Sequence, residues 1–368
     1  MNIIYGLLFV LLTWPVNAQT PVLNLQNGLA PKAAGDAKAF FDTSRAAQWW
    51  PNAVIHVGLS GVPNDGRRQL FIDLASQYEQ ASGLRFQFYT SSQAPNLSFS
   101  VIAQDNMNPL CSDLQEPSLG SPGIIYIRCW TRATVLYEIG HMAAFRDEQQ
   151  RPNRGAHVVV NDIDNVTSCN NSAYLRRFNV INGNAFISEG AYDYASVMHL
   201  SKLTLINCSN VAYRVTMEAV GPQPAGDPPG SSAACNSAVS CTNLLGTATE
   251  LSPRDKLALA KFWGLKLSTS TSGDGTGTVT VSPNLGNCGT DCFRVTYNAN
   301  VTITAVPAPD SIALISGACQ GRGTCTAAPT TNGTANVRFI KKRTLTAILV
   351  QATQTPVGET IFRTGFEN

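Results

Sequence analysis

The first part of the chain alternates between apolar and polar residues with the period of a β-strand. Four segments show this alternation or a short apolar run: Val54–Gly58, Leu84–Phe88, Leu97–Val101 and Ile124–Ile127. Alternation over four to eight residues is typical of a strand that buries one face. The pattern therefore predicts a sheet built from these segments.

Other segments follow the period of an α-helix. Apolar residues in Arg67–Ser82 recur at the spacing of one helical face, at Phe71, Leu74, Ala75 and Tyr78. Thr131–Phe145 repeats apolar residues in the same way, at Val135, Leu136, Ile139 and Met142. A third helix, Asp255–Trp263, follows the cap-like Ser252-Pro253. This order of elements predicts an α+β domain over residues 48–266, whose half from Glu148 to Gly264 has an irregular pattern.

The C-terminal part shows only short β patterns. They are Thr278–Val281, Val295–Tyr297, Val301–Thr304 and Leu345–Leu349. Ser268–Gly275 consists of Ser, Thr, Gly and Asp, a composition typical of flexible connections. We therefore expect a linker at 267–276, a small all-β domain at 277–352 and a tail at 353–368.

The N-terminal sequence and the charge indicate export. Residues 1–18 combine an apolar core with small residues at Val16 and Ala18, which predicts a secretory signal peptide. Residues 19–47 would then be a lead-in or a short propeptide. A formal net charge of +2, with 14% charged residues, gives no electrostatic basis for binding nucleic acid. We expect a secreted protein, extracellular or periplasmic.

The ten cysteines agree with an oxidising compartment. Pairing between neighbours in sequence is the simplest expectation, although the sequence alone does not fix connectivity. The pairs would be Cys111/Cys129, Cys169/Cys208, Cys235/Cys241, Cys288/Cys292 and Cys319/Cys325. A zinc ribbon formed by the last four cysteines is the alternative.

The candidate chemistry lies at the end of the second predicted helix. A zinc peptidase places two imidazoles at i and i+4, with a carboxylate beside the first. In this chain the carboxylate, Glu138, and the second imidazole, His141, are present. The first and third ligand positions hold Tyr137 and Asp147. Forming a phenolate at neutral pH costs about 4 kcal/mol before a metal offsets it, so these two positions decide whether the chain is an enzyme.

Three segments together resemble the astacin branch of the metzincin zinc endopeptidases. They are the helix around Glu138 and His141, the stretch Glu148–Arg154 after it, and Tyr192–His199, which contains a sequence similar to the methionine turn of that family. The resemblance extends over Trp49–Gly264. It implies a two-lobed metzincin fold with an active-site helix along a cleft.

The resemblance also implies roles for single residues. Glu138 would be the general base that activates a metal-bound water, with Tyr137, His141 and Asp147 as candidate zinc ligands and Met198 beneath the metal. Zinc is the cofactor implied, with its loss as the alternative. Peptides or proteins would be the substrates or ligands.

Two further positions depart from the family pattern. Ala144 replaces the glycine that ends the helix, so either a left-handed alanine costs roughly 1–2 kcal/mol or the turn changes shape. Leu200 replaces a tyrosine of the methionine turn, and losing one donor to an oxyanion typically costs about a hundredfold in rate. These changes predict impaired or lost zinc hydrolysis.

The C-terminal domain resembles the divergent internalin-type repeat modules of secreted bacterial proteins. The similar segments are Gly275–Pro283, Asn287–Cys292 and Ser316–Cys325. Such modules often bind cell surfaces or glycans. The sequence thus supports three hypotheses: a secreted astacin-like homologue that keeps its peptide-binding cleft without efficient hydrolysis, an active divergent metalloendopeptidase, and a surface-binding or adhesion protein that acts through its β domain.

Overall fold

The computed structural model describes residues 40–42, 50, 52–91, 98–105, 112–115, 122–161, 176–181, 186–188, 191–208, 211–225 and 235–342. The predicted signal peptide, most of the lead-in, the strand at Leu345–Leu349 and the tail lie outside these residues. None of the helices in the described ranges is both long and apolar enough to cross a membrane.

The N-terminal lobe is a five-stranded sheet covered by helices. Its strands are β2 (Val54–Gly61), β3 (Arg85–Tyr89), β4 (Phe99–Ala103), β5 (Ser112–Gln115) and β6 (Gly123–Ile127). The order in space is β3-β2-β4-β6-β5; every pair is parallel except β5 with β6, which is antiparallel. This confirms the four predicted strands, and β5 forms one edge of the sheet.

Two helices pack together in this lobe: α1 (Arg67–Ala81) and α2 (Arg132–Met142). The predicted apolar face of α1 is buried: Phe71, Leu74, Ala75 and Tyr78 are 0% exposed. Helix α2 begins after Thr131, whose hydroxyl accepts a hydrogen bond from the Thr134 amide at 3.2 Å. Both predicted helices are therefore confirmed, and α2 is buried along most of its length.

The second lobe is more regular than its sequence suggested. It contains β7 (Val158–Asn161), β9 (Leu203–Cys208) and β10 (Val211–Ala219), which form an antiparallel sheet in the order β7-β10-β9. A short pair joins β1 (Phe40–Asp42) to β8 (Phe186–Ser188). Helices α3 (Ala238–Leu244) and α4 (Pro253–Trp263) close the lobe. The expectation of an irregular half was wrong because alternate residues of β10, Val215, Met217 and Ala219, bury one face.

The C-terminal domain consists of a mixed six-stranded sheet and an antiparallel three-stranded sheet. One has the order β13-β14-β11-β19-β16-β17 and the other β12-β15-β18. The strands are β11 (Leu265–Ser272), β12 (Gly277–Ser282), β13 (Gly286–Gly289), β14 (Cys292–Val295), β15 (Val301–Pro307), β16 (Ser311–Gly317), β17 (Gly321–Arg322), β18 (Thr324–Ala327) and β19 (Gly333–Lys341). The α+β class with an all-β C-terminal domain is therefore confirmed.

The predicted linker at 267–276 is wrong for most of its length. Strand β11 lies inside the six-stranded sheet, between β14 and β19, and it follows α4 after only Gly264. Leu265, Leu267 and Thr269 are buried, so the Ser/Thr-rich composition hides an alternating strand. The turn begins only at Gly273, whose φ of 101° suits glycine.

Three predicted disulfides are present among the described cysteines: Cys235–Cys241, Cys288–Cys292 and Cys319–Cys325. The zinc-ribbon alternative is wrong because its four sulfurs are consumed in two of these bonds. Cys129 is also disulfide-bonded. Its predicted partner Cys111 lies outside the described residues, as do Cys169 and the side chain of Cys208.

Candidate functional site

Helix α2 carries three of the residues that the sequence singled out. Tyr137, Glu138 and His141 are all buried, with Glu138 at 0% exposure. Because Glu138 does not face solvent, its carboxylate is not open to bulk water in this structure. The helix is fixed from α1 by Tyr78, whose hydroxyl donates to the Leu136 carbonyl at 2.7 Å.

The side chains at the three ligand positions contact one another. The Tyr137 hydroxyl donates to Asp147 Oδ1 at 2.5 Å, and His141 Nε2 lies 3.2 Å from the same oxygen. His141 Nδ1 lies 3.1 Å from the Phe145 carbonyl. Both ring nitrogens of His141 thus lie within hydrogen-bond distance of an oxygen atom. The structure brings these predicted residues together as a closed hydrogen-bonded triad.

Charge and burial favour the proton positions that this triad needs. Burial, and then the charge of Asp147, raise the pKa of Tyr137 well above its ordinary value, so the phenol keeps its proton. Burial also acts to raise the pKa of Asp147, but the hydrogen bond and charge of His141, with the charge of Arg177, lower it overall. The centre therefore combines a carboxylate acceptor with a phenol donor.

The turn after α2 carries the predicted strain. Ala144 has a φ of 67°, in the left-handed region, and it is buried. This confirms that the chain makes the turn of the family pattern with alanine in place of glycine. The Trp263 indole donates to the Ala143 carbonyl at 3.1 Å and holds the start of the turn from α4.

The methionine turn lies directly beneath α2. A side chain at Gly140 would overlap the Met198 sulfur, so this position of the helix needs glycine. Asp255, in the first turn of α4, fixes the turn: its carboxylate accepts hydrogen bonds from Ser196 Oγ at 2.8 Å and from the Val197 amide at 3.0 Å. Met198 therefore lies under the helix, as the family resemblance implies.

A second carboxylate lies in the same buried network. Asp193 accepts a hydrogen bond from Ser252 Oγ at 2.6 Å, and Ser252 caps α4. Burial, and then the charge of Asp193, raise the pKa of Asp255 to about 7. Burial also raises the pKa of Asp193. These two acids thus favour the protonated form more strongly than exposed aspartates do.

The residues after the third ligand position form a buried ion pair. Arg151 Nη1 lies 2.7 Å from Glu148 Oε1, and both side chains are 1% exposed. The same oxygen accepts the Asp193 amide at 3.0 Å, which links the ion pair to the methionine turn. Burial raises the pKa of Glu148, and Arg151 opposes this effect. Arg151 is thus a buried structural cation.

His199 follows Met198 and is fully used in local hydrogen bonds. Its Nδ1 donates to the Leu200 carbonyl at 3.1 Å, so Nε2 accepts the Tyr192 hydroxyl at 2.7 Å. Burial lowers the pKa of His199 to about 4, which keeps the ring neutral. Leu200 contributes no polar side-chain group at this place.

The triad does not fit the zinc ion that the resemblance implies. Two tetrahedral ligands at about 2.0–2.1 Å from zinc lie about 3.4 Å apart. The His141–Asp147 separation is close to that value, but 2.5 Å between Tyr137 and Asp147 is the length of a charge-assisted hydrogen bond. Zinc would require loss of the phenol proton, which burial opposes. Among the described residues, no group of three or more His, Cys, Asp or Glu side chains could hold a metal ion.

Two contributors to the site were missed at the sequence level. The charge of Arg177 acts on both Tyr137 and Asp147, but it comes from a segment with no recognisable pattern. Trp263 was predicted only as the end of a helix, and its contact with the Ala143 carbonyl spans 120 positions of sequence. Neither contact leaves a local signal in the chain.

Comparison with known proteins places this site in a family. The family model described as astacin, a peptidase family, matches residues 42–225, half of the 368 residues. Among solved structures, the chain is similar to the hatching enzyme zinc-protease high choriolytic enzyme 1 of the medaka fish Oryzias latipes, at 17% identity over 57% of this chain and 88% of that one, with a TM-score of 0.37.

It is also similar to myroilysin, at 18% identity over 61% of this chain and 98% of that one, with a TM-score of 0.39. A comparison with curated proteins gave no match. The family match covers the sheet, α2 and the methionine turn described above. The chain belongs to the astacin family of metallopeptidases.

Proposed function

We propose that this protein is a secreted astacin-family homologue that binds peptides without efficient zinc-dependent hydrolysis. The observation that carries the proposal is the closed triad: one oxygen of Asp147 accepts the Tyr137 hydroxyl at 2.5 Å and lies 3.2 Å from His141 Nε2. The atoms that would ligate zinc are engaged with one another. Opening the triad would cost the charge-assisted hydrogen bonds of a buried carboxylate.

The binding part of the proposal rests on the sheet edge. Strand β5 is the antiparallel edge of the five-stranded sheet and contacts α2. An edge strand presents unpaired backbone groups, which an extended peptide can complete as an added strand. Among the described residues, this edge supports the proposal that the protein docks an extended peptide.

The test restores the ligands. The full chain and a Tyr137→His/Asp147→His variant are incubated with zinc, dialysed and analysed for metal. We expect about one zinc per chain in the variant and none at stoichiometric level in the wild type. Zinc should raise the melting temperature of the variant only. Adding His141→Ala to the variant is the matched control and should abolish zinc uptake.

Function is measured on the same samples with fluorescent casein peptides. The proposal expects that the wild type binds such peptides and leaves them intact. Equimolar zinc in the wild type, together with casein cleavage that Glu138→Ala abolishes, would overturn it. Failure to bind any peptide would contradict the retained docking edge.

One observation favours a second candidate, an active divergent metalloendopeptidase. The 3.2 Å between His141 Nε2 and Asp147 Oδ1 is near the spacing of two ligands of one ion, and Glu138 stands at the general-base position. This alternative predicts metal-dependent casein cleavage by the wild type that Glu138→Ala removes. The same assays therefore distinguish the two functions.

A further inference from the structure

The β domain is docked directly onto the peptidase domain. The Gly83 amide, just after α1, donates to the Gly264 carbonyl at 2.7 Å. A side chain at Gly83 would come within 3.3 Å of Arg294 Cγ, on β14, so this segment is in close contact with the β domain. Arg85, on β3, donates to the Cys288 carbonyl at 2.6 Å. The two domains are thus joined by hydrogen bonds as well as by the chain.

Asn332 makes hydrogen bonds to both sides of this joint. Its Oδ1 accepts the Lys266 amide at 2.7 Å, and its Nδ2 lies 3.1 Å from the Glu79 carbonyl, 2.9 Å from the Gln80 carbonyl and 3.4 Å from the Ser82 carbonyl. These carbonyls belong to the C-terminal end of α1, which has no basic residue in its last turn. Because terminal carbonyls have no partner within the helix, Asn332 acts as an external cap from the β domain.

Helix α1 transmits this anchoring to the site. Tyr78, one residue before Glu79, donates to the Leu136 carbonyl in α2, and both groups are buried. The Tyr78 hydroxyl also lies 3.1 Å from the place where a Cβ at Gly140 would be, beside Met198. The end of α1 that Asn332 caps is therefore the part that contacts the site helix.

Helix α4 provides a second connection. Trp263 is its last residue, one position before the joint at Gly264, and its indole donates to the Ala143 carbonyl. Ala144, which has the left-handed φ of 67°, follows Ala143 in the chain. The turn from His141 to Asp147 is thus held from the domain joint.

We infer that the C-terminal β domain is a positioning element of the candidate site: Asn332 acts through α1, and β11 continues the chain directly from α4, whose last residue Trp263 acts on the turn after α2. This role is separate from the proposed function, since it concerns the geometry of α2 whether or not peptides or metals bind. It also implies that the β domain is not a freely tethered module. A ligand on the β domain would be held at a fixed place relative to α2.

The test is native-state hydrogen exchange on the full chain, read by mass spectrometry. Asn332→Ala should raise exchange about tenfold both at the end of α1 and in residues 136–147. It should lower the melting temperature by about 3–6 °C. Trp263→Phe, which keeps an aromatic ring but lacks the donor, should raise exchange in residues 143–147 and leave the end of α1 unchanged.

Asn336→Ala is the matched control, because Asn336 is an exposed asparagine on β19, the strand that follows Asn332. It should leave exchange in both helices at the wild-type level. Should Asn332→Ala unfold the chain, Asn332→Asp keeps the acceptor for the Lys266 amide and replaces the donors to α1 with a carboxylate oxygen that repels the α1 carbonyls. Loosening confined to the end of α1, with residues 136–147 unchanged, would overturn the inference. Separate melting of the β domain in the wild type would overturn it as well.

Discussion

The candidate site has two parts that differ in how they use charged groups. In the supporting part, Glu148 pairs with Arg151 and Asp255 holds the backbone of the methionine turn. In the ligand part, Tyr137 and His141 both contact Asp147. The carboxylates of the supporting part bind backbone amides as well as side chains, whereas the side chains of the ligand part contact one another around one oxygen of Asp147. The comparison teaches that the supporting part is held by protein contacts alone.

The physical reason is that the supporting carboxylates bind main-chain groups. Asp255 accepts the Val197 amide and Glu148 accepts the Asp193 amide, each at 3.0 Å. Such contacts depend on the path of the chain and need no ion. The ligand positions, in contrast, use side-chain atoms, so single substitutions change their chemistry without moving the backbone.

The largest effect is expected from breaking the supporting ion pair. Arg151→Met leaves Glu148 buried without its cation, which should cost about 3–5 kcal/mol of unfolding free energy in urea. Arg154→Met is the control, since Arg154 is half-buried and donates to the Gln149 and Phe178 carbonyls. If Arg151→Met lowers the unfolding free energy no more than Arg154→Met does, the supporting part does not depend on this ion pair.

The buried acid Asp255 should make the supporting part sensitive to pH. Its pKa of about 7 exceeds the ordinary 3.8, so protonation stabilises the fold, and this stability is lost as pH rises towards 7. Asp255→Asn removes that dependence. The unfolding free energy of the wild type relative to this variant should fall by about 2–3 kcal/mol between pH 5 and pH 8. A constant difference across this range would place the titration elsewhere.

The ligand part can be opened at its phenol. Tyr137→Phe removes the hydrogen bond to Asp147 and should cost about 2 kcal/mol, because the acceptor is charged. It should also raise the pKa of Asp147. The ionised Asp147 stabilises the fold above pH 3.8. As the protein is acidified, the variant should lose this contribution at a higher pH than the wild type does.

Tyr194→Phe is the comparison for that measurement. Its hydroxyl donates to a neutral carbonyl, that of His157, at 2.8 Å, so the loss should be nearer 1 kcal/mol. Equal losses in urea unfolding would indicate that the triad has no special electrostatic strength.

The smallest effect concerns the strained turn between the two parts. Ala144→Gly should stabilise the protein by about 1 kcal/mol, because glycine adopts a φ of 67° at little cost. Ala133→Gly, within α2, should destabilise by about as much. We expect the melting temperature to rise for Ala144→Gly and to fall for Ala133→Gly. A lower melting temperature in both variants would show that Ala144 is unstrained.

Elements with a clear period were predictable, whereas contacts between distant segments were not. The apolar stripe of α1 and the alternation of β2 gave both elements, because burial of one face sets the spacing of apolar residues. Strand β11 was predicted as a linker, since Ser and Thr at alternate exposed positions have the composition of a loop. Only pairing with β14 and β19 makes it a strand.

The same division holds within the site. The sequence by itself determined the periodic helices and strands of the N-terminal lobe and the residue types at the ligand positions, since both are read from neighbouring residues in the chain. Only the tertiary structure decided that Tyr137, His141 and Asp147 bond to one another, that Glu138 is fully buried, and that Asn332 caps a helix some 250 positions away. Those contacts depend on packing between distant segments, and no local spacing of residues encodes them.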